Sequence, residues 1–272
     1  MTKDKQTFAD LEYAGWQTRA AEYDLWLGQI TRNGTEDLLD AAGVSAGSKV
    51  VDIACGPGYV AGAAAARGAH ALGLDISPAM VAEAKINFPG ADFKIGNAEH
   101  LDLTDNSVDA AICAFGLLHF ADADRAIGEV ARILKPGGRY AFSVWCSTDN
   151  HEFFRLVWGA IAKYGDLKAD VPTGPDAFRF SDSIECERTL KEYGFLDVKT
   201  REIEFSWTAT SIDAILDMVN RSTVRTPMML DAQTPEARNA IEMGIRERAE
   251  RYRTPNGFTT CWTALLVSAK WD

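Results

Sequence analysis

The sequence predicts an α/β fold, a doubly wound and mostly parallel sheet with helices on both faces, and three observations predict it. Residues 50–53, Val-Val-Asp-Ile, form a β-branched run that meets Gly56 and Gly58 and then an alanine-rich stretch, Tyr59 to Ala66. A strand, a glycine turn and a helix in that order open a nucleotide-binding βαβ unit. Apolar strands and helical segments then alternate as far as Trp145, which implies parallel strands joined by right-handed crossovers. Finally, 272 residues with 47% hydrophobic and 25% charged content are ordinary for a globular chain that forms one large domain or a core with a lid.

The elements follow in order. Phe8 to Gln29 is aromatic-rich and reads as a helical lid, within an N-terminal unit of residues 1–36. A core over 37–210 begins with the strand at 50–53, whose Val50, Val51 and Ile53 suit burial. His70 to Asp75 is the second strand. Ser77-Pro78 starts a helix running through Met80 to about Phe88, because Ser caps and Pro fits the first turn. Residues 91–95 and 108–114 are the third and fourth strands, and a helix spans about Asp122 to Leu134. Lys135-Pro-Gly-Gly138 stops that helix by removing a donor and adding permissive glycines, and Arg139 to Trp145 is the fifth strand. A helix at 151–163, a Pro/Gly loop at 165–182 and a helix from Ser183 to Tyr193 lead to Ile203, Phe205 and Trp207, which alternate with polar residues as in a half-buried strand. A helical insertion over 211–256 precedes a last strand within 257–272, Thr260 to Lys270.

The glycine loop alone leaves the ligand open, since Gly56-Pro-Gly58-Tyr-Val-Ala61 also satisfies a relaxed dinucleotide fingerprint. Asp75, ending the second strand, suits a pair of ribose hydroxyls in either case. Asp52 separates the readings. A carboxylate inside a buried strand is costly unless it meets a cation or donors, and it repels a pyrophosphate.

Five blocks occur in order: Asp52-Ile-Ala-Cys-Gly-Pro-Gly58, Gly73-Leu-Asp75-Ile-Ser77, Gly96-Asn-Ala-Glu99, Val108-Asp109 through Leu117-Leu-His-Phe120, and Arg132-Ile-Leu-Lys-Pro-Gly-Gly138. Over about Leu38 to Trp145 the chain resembles the class I S-adenosylmethionine-dependent methyltransferases, in particular the small-molecule branch similar to ubiquinone/menaquinone methyltransferases. The resemblance implies a Rossmann-like sheet of seven strands with the last antiparallel, a cap over the acceptor pocket, and S-adenosylmethionine as cofactor with S-adenosylhomocysteine as product. It implies Asp75 on the ribose, Gly56 and Gly58 as the close backbone wall, and Asn97 with Ala98 at the adenine edge. Asp52, Ala114 and Phe115 would face the methionyl group, while Ala54, Ile76, Met80 and Glu99 complete the cofactor wall, Glu99 by steadying the adenine loop. Many relatives carry Asp where this chain has Asn97, yet the Asn carbonyl also accepts a hydrogen bond. Tyr23 is the expected contact from the lid, where an aromatic face can meet a sulfonium, alongside Tyr13 and Trp26 at compatible spacing.

Methyl transfer from a sulfonium needs alignment more than covalent help, and a base only if the acceptor arrives protonated. His119, just after the fourth strand, is the candidate base, with loop-fixing as the competing role. Tyr13, Trp145, His151, Arg179 and Arg225 are candidates for the acceptor pocket, the two arginines weighed against ordinary ion pairs among 39 acidic residues.

Composition narrows the partners. A net charge of −11 disfavours a nucleic-acid substrate, and Glu247 and Glu250 among the arginines of 246–253 make that stretch a solvated helix face. Five scattered cysteines without a C-x-x-C pair, and four scattered histidines, suggest reduced thiols in a cytoplasmic protein and no metal site. No stretch is apolar enough for membrane insertion. The expectation is a monomer or homodimer acting on a small-molecule acceptor. Two rivals remain: a protein that binds S-adenosylmethionine without transferring methyl, and a nicotinamide-dependent oxidoreductase, which would leave the Arg132 to Gly138 block unexplained.

Overall fold

The computed structural model describes residues 7–272. Its core strands are β1 (Lys49–Ile53), β2 (His70–Asp75), β3 (Asp92–Ile95), β4 (Val108–Ala114), β5 (Leu134–Trp145) and β6 (Leu196–Ala209), and a two-residue β7 (Arg253–Thr254) precedes β8 (Gly257–Lys270). The order across the sheet is β3-β2-β1-β4-β5-β8-β6, with β7 paired to β8 off this path. β1 to β5 pair in parallel, whereas β8 runs antiparallel between β5 and β6. The expected seven long strands with the last one antiparallel are present, and β7 is an eighth, minor strand closing a hairpin.

Alternation along each strand explains the two layers of helices. Val50, Ala110, Ile112 and Ala141 face one core with Leu38 and Leu39 of α3 (Thr35–Ala41), Val60 and Ala64 of α4 (Tyr59–Ala66) and Val81 and Ala84 of α5 (Pro78–Asn87). Val51, Ile53, Ala111 and Phe142 face the other core with Ile127 and Val130 of α6 (Ala123–Ile133) and, from further along the chain, Cys186 and Leu190 of α8 (Ser183–Glu192). α7 (Glu152–Tyr164) joins the first layer through Phe153, Leu156 and Val157. The Ser77 hydroxyl accepts from the Met80 N–H at 3.3 Å, with Pro78 in the first turn, as the Ser-Pro start predicts.

One boundary differs from the sequence reading. β5 begins at Leu134, so Lys135 to Gly138 lie within the strand, and the pairing with β4 jumps from Val108–Leu134 to Ala110–Arg139. The glycines absorb a bulge; Gly137 sits at φ +81°.

Outside the sheet, α1 (Phe8–Leu25) and α2 (Gly28–Thr31) lie at the N-terminal side of the chain, and α9 (Ile212–Ser222), α10 (Arg225–Asp231) and α11 (Pro235–Ala249) form the helical excursion before β8. α1 is tied to the core at its middle. Gln17 Oε1 accepts from the Ser77 hydroxyl at 3.0 Å and the Ala79 N–H at 3.1 Å, and Asp24 accepts from the Tyr59 hydroxyl. Arg246 pairs with Asp213 and Arg253 with Glu250, as a solvated face would. Among the described residues no helix is long and apolar enough to cross a membrane.

Candidate active site

Ligands bind open α/β sheets where the strand order reverses, outside the carboxyl ends of the strands. Here that point lies between β1 and β4, because the chain moves outward to β2 and β3 before returning. A cavity of about 1020 Å³, counted to its open mouth, occupies this position. Its floor is the ends of β1, β2 and β4: Ala54, Gly56, Asp75, Ala114 and Phe115. Ala54 and Phe115 both adopt left-handed backbone, at φ +55° and +56°, a strain that non-glycine residues tolerate where the surroundings hold them.

Asp75 is buried, and burial pushes its carboxyl up. The Ser77 and Gly56 N–H groups, each donating at 2.9 Å to a different oxygen, oppose that rise. Both oxygens keep a lone pair for a diol. Ile76, Met80 and Ala98 supply apolar wall beside Gly96, Asn97 and Glu99. The Asn97 carbonyl accepts from the Glu99 N–H at 2.9 Å, which folds this loop locally, and Glu99 accepts from the Asp122 N–H at 3.0 Å. These groups fit a nucleoside: a carboxylate for a ribose, thin backbone beside it, and an apolar slot ending in amide edges.

The upper wall comes from α1, α2 and the link between them. Tyr13, Trp16, Tyr23, Leu27 and Thr31 face the cavity, opposite His119, Phe120 and Trp145. Phe115 stacks on Trp145 with ring centroids 4.0 Å apart. Burial pushes the Tyr23 hydroxyl up to about 12, and it bonds Thr31 Oγ1 at 3.0 Å.

His119 sits in a single 3₁₀ turn after β4, and its Nδ1 lies 2.9 Å from Glu12 Oε2. Glu12 is a buried carboxylate on α1 that also accepts from Trp16 Nε1 at 3.0 Å and from Arg225 Nε at 3.0 Å. Burial alone would raise its pKa, but His119 and Arg225 outweigh that and hold it below the usual range. An ionised Glu12 only accepts, so Nδ1 carries the hydrogen of this bond; Nε2 meets no protein partner among the described residues and is the acceptor whenever the ring holds a single proton.

Several sequence-predicted residues lie elsewhere. Asp52 does not line the cavity; it lies within β1 with one oxygen accepting from the Ala61 N–H at 3.0 Å and the other unpartnered, and burial pushes it up to about 8. Gly58 is needed for packing, since at φ +91° a Cβ there would sit 2.8 Å from the Phe93 ring. His151 is fully buried and spends Nδ1 capping α7 at Phe154 N–H; burial drives it down to about 3, and it lines no part of the cavity. Arg179 is held by Asp124 of α6 and Glu185 of α8, the ion-pair alternative. Arg225 reaches the cavity's edge only through Glu12 and the Leu118 carbonyl. Trp26 hydrogen-bonds Glu22 on its own helix at 3.3 Å and stays outside. Glu12 and Trp16 were not singled out from sequence, although Trp16 lies three residues from Tyr13 on the same stripe.

Burial pushes the thiols of Cys55 and Cys113 upward, the latter to about 12, so both stay protonated near neutrality. Among the described residues no group of three or more His, Cys, Asp or Glu is placed to hold a metal ion.

Comparisons with known proteins agree on the class of site. A family model described as a methyltransferase domain matches residues 51–142. A demethylmenaquinone methyltransferase of Paenarthrobacter aurescens is 37% identical over 202 residues, covering 68% of this chain and 78% of that protein. A malonyl-[acyl-carrier protein] O-methyltransferase of Methylococcus capsulatus is 34% identical over 56% of this chain and 53% of its own length. Among solved structures, one from Bacillus halodurans assigned as a methyltransferase superposes with a TM-score of 0.60 at 18% identity, over 88% of this chain and 98% of that one, a likeness of fold.

Proposed function

The chain belongs to the methyltransferase-domain family, and from that premise we propose that it uses S-adenosylmethionine to methylate a small, flat, largely apolar acceptor beneath the aromatic lid. The observation that carries this reading is Asp75, with both oxygens fixed by backbone N–H groups at the end of β2 and facing the cavity. When bound, the cofactor supplies an electrophilic methyl group on a sulfonium.

The chain's own residues then bind, align and dry the site. Asp75 would hold the ribose hydroxyls; Ile76 and Met80 would supply apolar wall for the adenine, with Asn97 and Ala98 at its edge. Ala54, Gly56, Ala114 and Phe115 form the floor under the methionyl arm, and Tyr23 presents an aromatic face beside the cationic centre. Asp52 acts behind the floor, where it accepts from the Ala61 N–H and so fixes the start of α4 beside the glycine loop. Tyr13, Trp16, Phe120 and Trp145 close over the acceptor. Holding two reactants in line while excluding water can contribute about 7–11 kcal/mol to the barrier reduction, so no elaborate machinery is required. Within the described residues, 7–36 serve as lid and 211–256 as cap; residues 1–6 of the N-terminal unit lie outside them. The net charge of −11 and the scattered cysteines support action in the cytoplasm, on a small molecule and not on nucleic acid.

Titration calorimetry with S-adenosylhomocysteine and, separately, NAD tests the donor site. The expected result is stoichiometric S-adenosylhomocysteine binding that weakens ten- to a hundredfold in Asp75→Ala, from loss of charge-assisted bonds of about 1.5–3 kcal/mol. Binding of NAD in its place would overturn the reading.

A further inference from the structure

The cavity has an uneven distribution of charge. Its titratable lining groups are Glu12, Tyr13, Tyr23, Asp75, Glu99 and His119, with no Lys or Arg among them. A carboxylate or phosphate acceptor would meet three acidic groups and no Lys or Arg, so the lining favours a neutral acceptor. Of the three carboxylates, Glu12 is taken by His119, Trp16 and Arg225 and Asp75 by the ribose, while Glu99, one oxygen of which accepts from the Asp122 N–H, belongs to the adenine loop. The walls around His119 are aromatic. Trp16 meets its ring edge-on at 4.9 Å, and Tyr13, Phe120 and Trp145 complete the surface. Such walls suit an aromatic ring.

Among the described residues His119 Nε2 is one polar atom left for that neutral ring, with the Tyr13 hydroxyl also in the lining. Glu12 fixes the tautomer by accepting from Nδ1, and it reaches His119 from α1, 107 residues away in sequence. Arg225 of the cap locks Glu12 from the other side. This is the arrangement of a carboxylate-oriented imidazole base, completed only when lid, cap and core meet. A base serves acceptors that arrive protonated. An aromatic hydroxyl, with a pKa of roughly 10, is neutral at pH 7 and a poor nucleophile until it loses its proton.

We propose that His119 is a general base, held in place by Glu12 as a positioning residue, and that the acceptor is a neutral hydroxyarene methylated on oxygen; this rests on the methyl-transfer reading above. The hydroxyl proton passes to His119 Nε2. The oxygen's freed electron pair forms the bond to the methyl carbon while the carbon–sulfur bond breaks and its electrons return to sulfur, leaving a neutral thioether. The imidazolium then loses its proton to solvent. The charged and titratable groups around His119 are Glu12 from α1, Arg225 from α10 through Glu12, and Asp75 from β2.

The test pairs 2-naphthol, protonated at neutral pH, with 2-naphthalenethiol, which ionises far more readily and needs no base. The S-adenosylhomocysteine complex of the protein is titrated with 2-naphthol and the naphtholate absorption band recorded; turnover of both probes is then measured with S-adenosylmethionine. The wild type is expected to bind naphthol partly as naphtholate. In His119→Ala the band should vanish and naphthol turnover fall by about a hundredfold, with naphthalenethiol turnover falling by far less. Glu12→Gln should weaken the band and lower kcat for naphthol about tenfold while KM holds. Equal losses on both probes in His119→Ala, a naphtholate band that survives the substitution, or a wild type that methylates the thiol but never naphthol would each overturn the proposal. Failure of the wild type to bind S-adenosylhomocysteine would instead sink the donor reading beneath it.

Discussion

Asp52 is a residue whose environment departs far from its chemistry. Its carboxyl is 1% exposed, with a single donor, the Ala61 N–H in the first turn of α4, and burial lifts it to about 8 against an ordinary value near 3.8. An acid whose folded pKa is raised binds protons more tightly when folded. Its contribution to stability is therefore present below about pH 4 and is lost as pH rises toward 8. Asp52→Asn keeps a carbonyl for the Ala61 N–H and removes the titration. Urea melts of the ligand-free protein should show the variant gaining on the wild type steadily from pH 5 to pH 8, and a constant difference across that range would contradict the assignment. This residue also illustrates what composition and motif can and cannot convey. That Asp52 is special was legible from a carboxylate in a β-branched run. That it sits behind the cavity floor and not on it was not, because strand alternation turns it to a face only the tertiary structure defines.

At the scale of elements, the lid is a joint between three parts of the chain. Glu12 and His119 belong to α1 and the turn after β4, and Arg225 of α10 binds Glu12 Oε1 at 3.0 Å, the Pro175 carbonyl at 3.1 Å and the Leu118 carbonyl. With Arg225 and Glu12 both largely buried, removing the guanidinium leaves a carboxylate short of one partner in a dry site. Breaking such a pair from one side costs about 3–5 kcal/mol. Arg225→Met, which retains apolar bulk against the Phe8 ring, should therefore destabilise the chain by about 3 kcal/mol in urea melts; a change under about 0.5 kcal/mol would show the joint to be ornamental. None of this was readable in advance. Glu12 looks like any charged residue of an aromatic-rich helix, and its partners lie 107 and 213 residues away. The core elements were readable because their signals are local: β-branched runs, Ser77-Pro78, and glycines at turns. The fifth strand's start was missed for the same reason. Lys135-Pro-Gly-Gly138 carries strong local stop signals, yet pairing with β4 and β8 draws the bulged segment into the sheet.

For the whole molecule, the sheet order and the cavity at its reversal put Asp75, the strained floor residues Ala54 and Phe115, and the aromatic residues of α1 around one space. Fold and cofactor class were legible from five ordered blocks, because a nucleoside site built from strand ends and glycine turns is written contiguously. The acceptor side was not, because it is assembled from α1, the turn after β4 and the end of β5, with the cap acting through Glu12. The central claim is that this space carries methyl transfer from S-adenosylmethionine to a small molecule. It is tested most directly by incubating the protein with methyl-labelled S-adenosylmethionine and a fractionated bacterial small-molecule extract, beside Asp75→Ala. Label should appear in an apolar, low-molecular-weight fraction and be lost in the variant. Label that stays wholly in the donor, in a protein shown to bind S-adenosylhomocysteine, would contradict methyl transfer and leave a cofactor-binding protein with some other task.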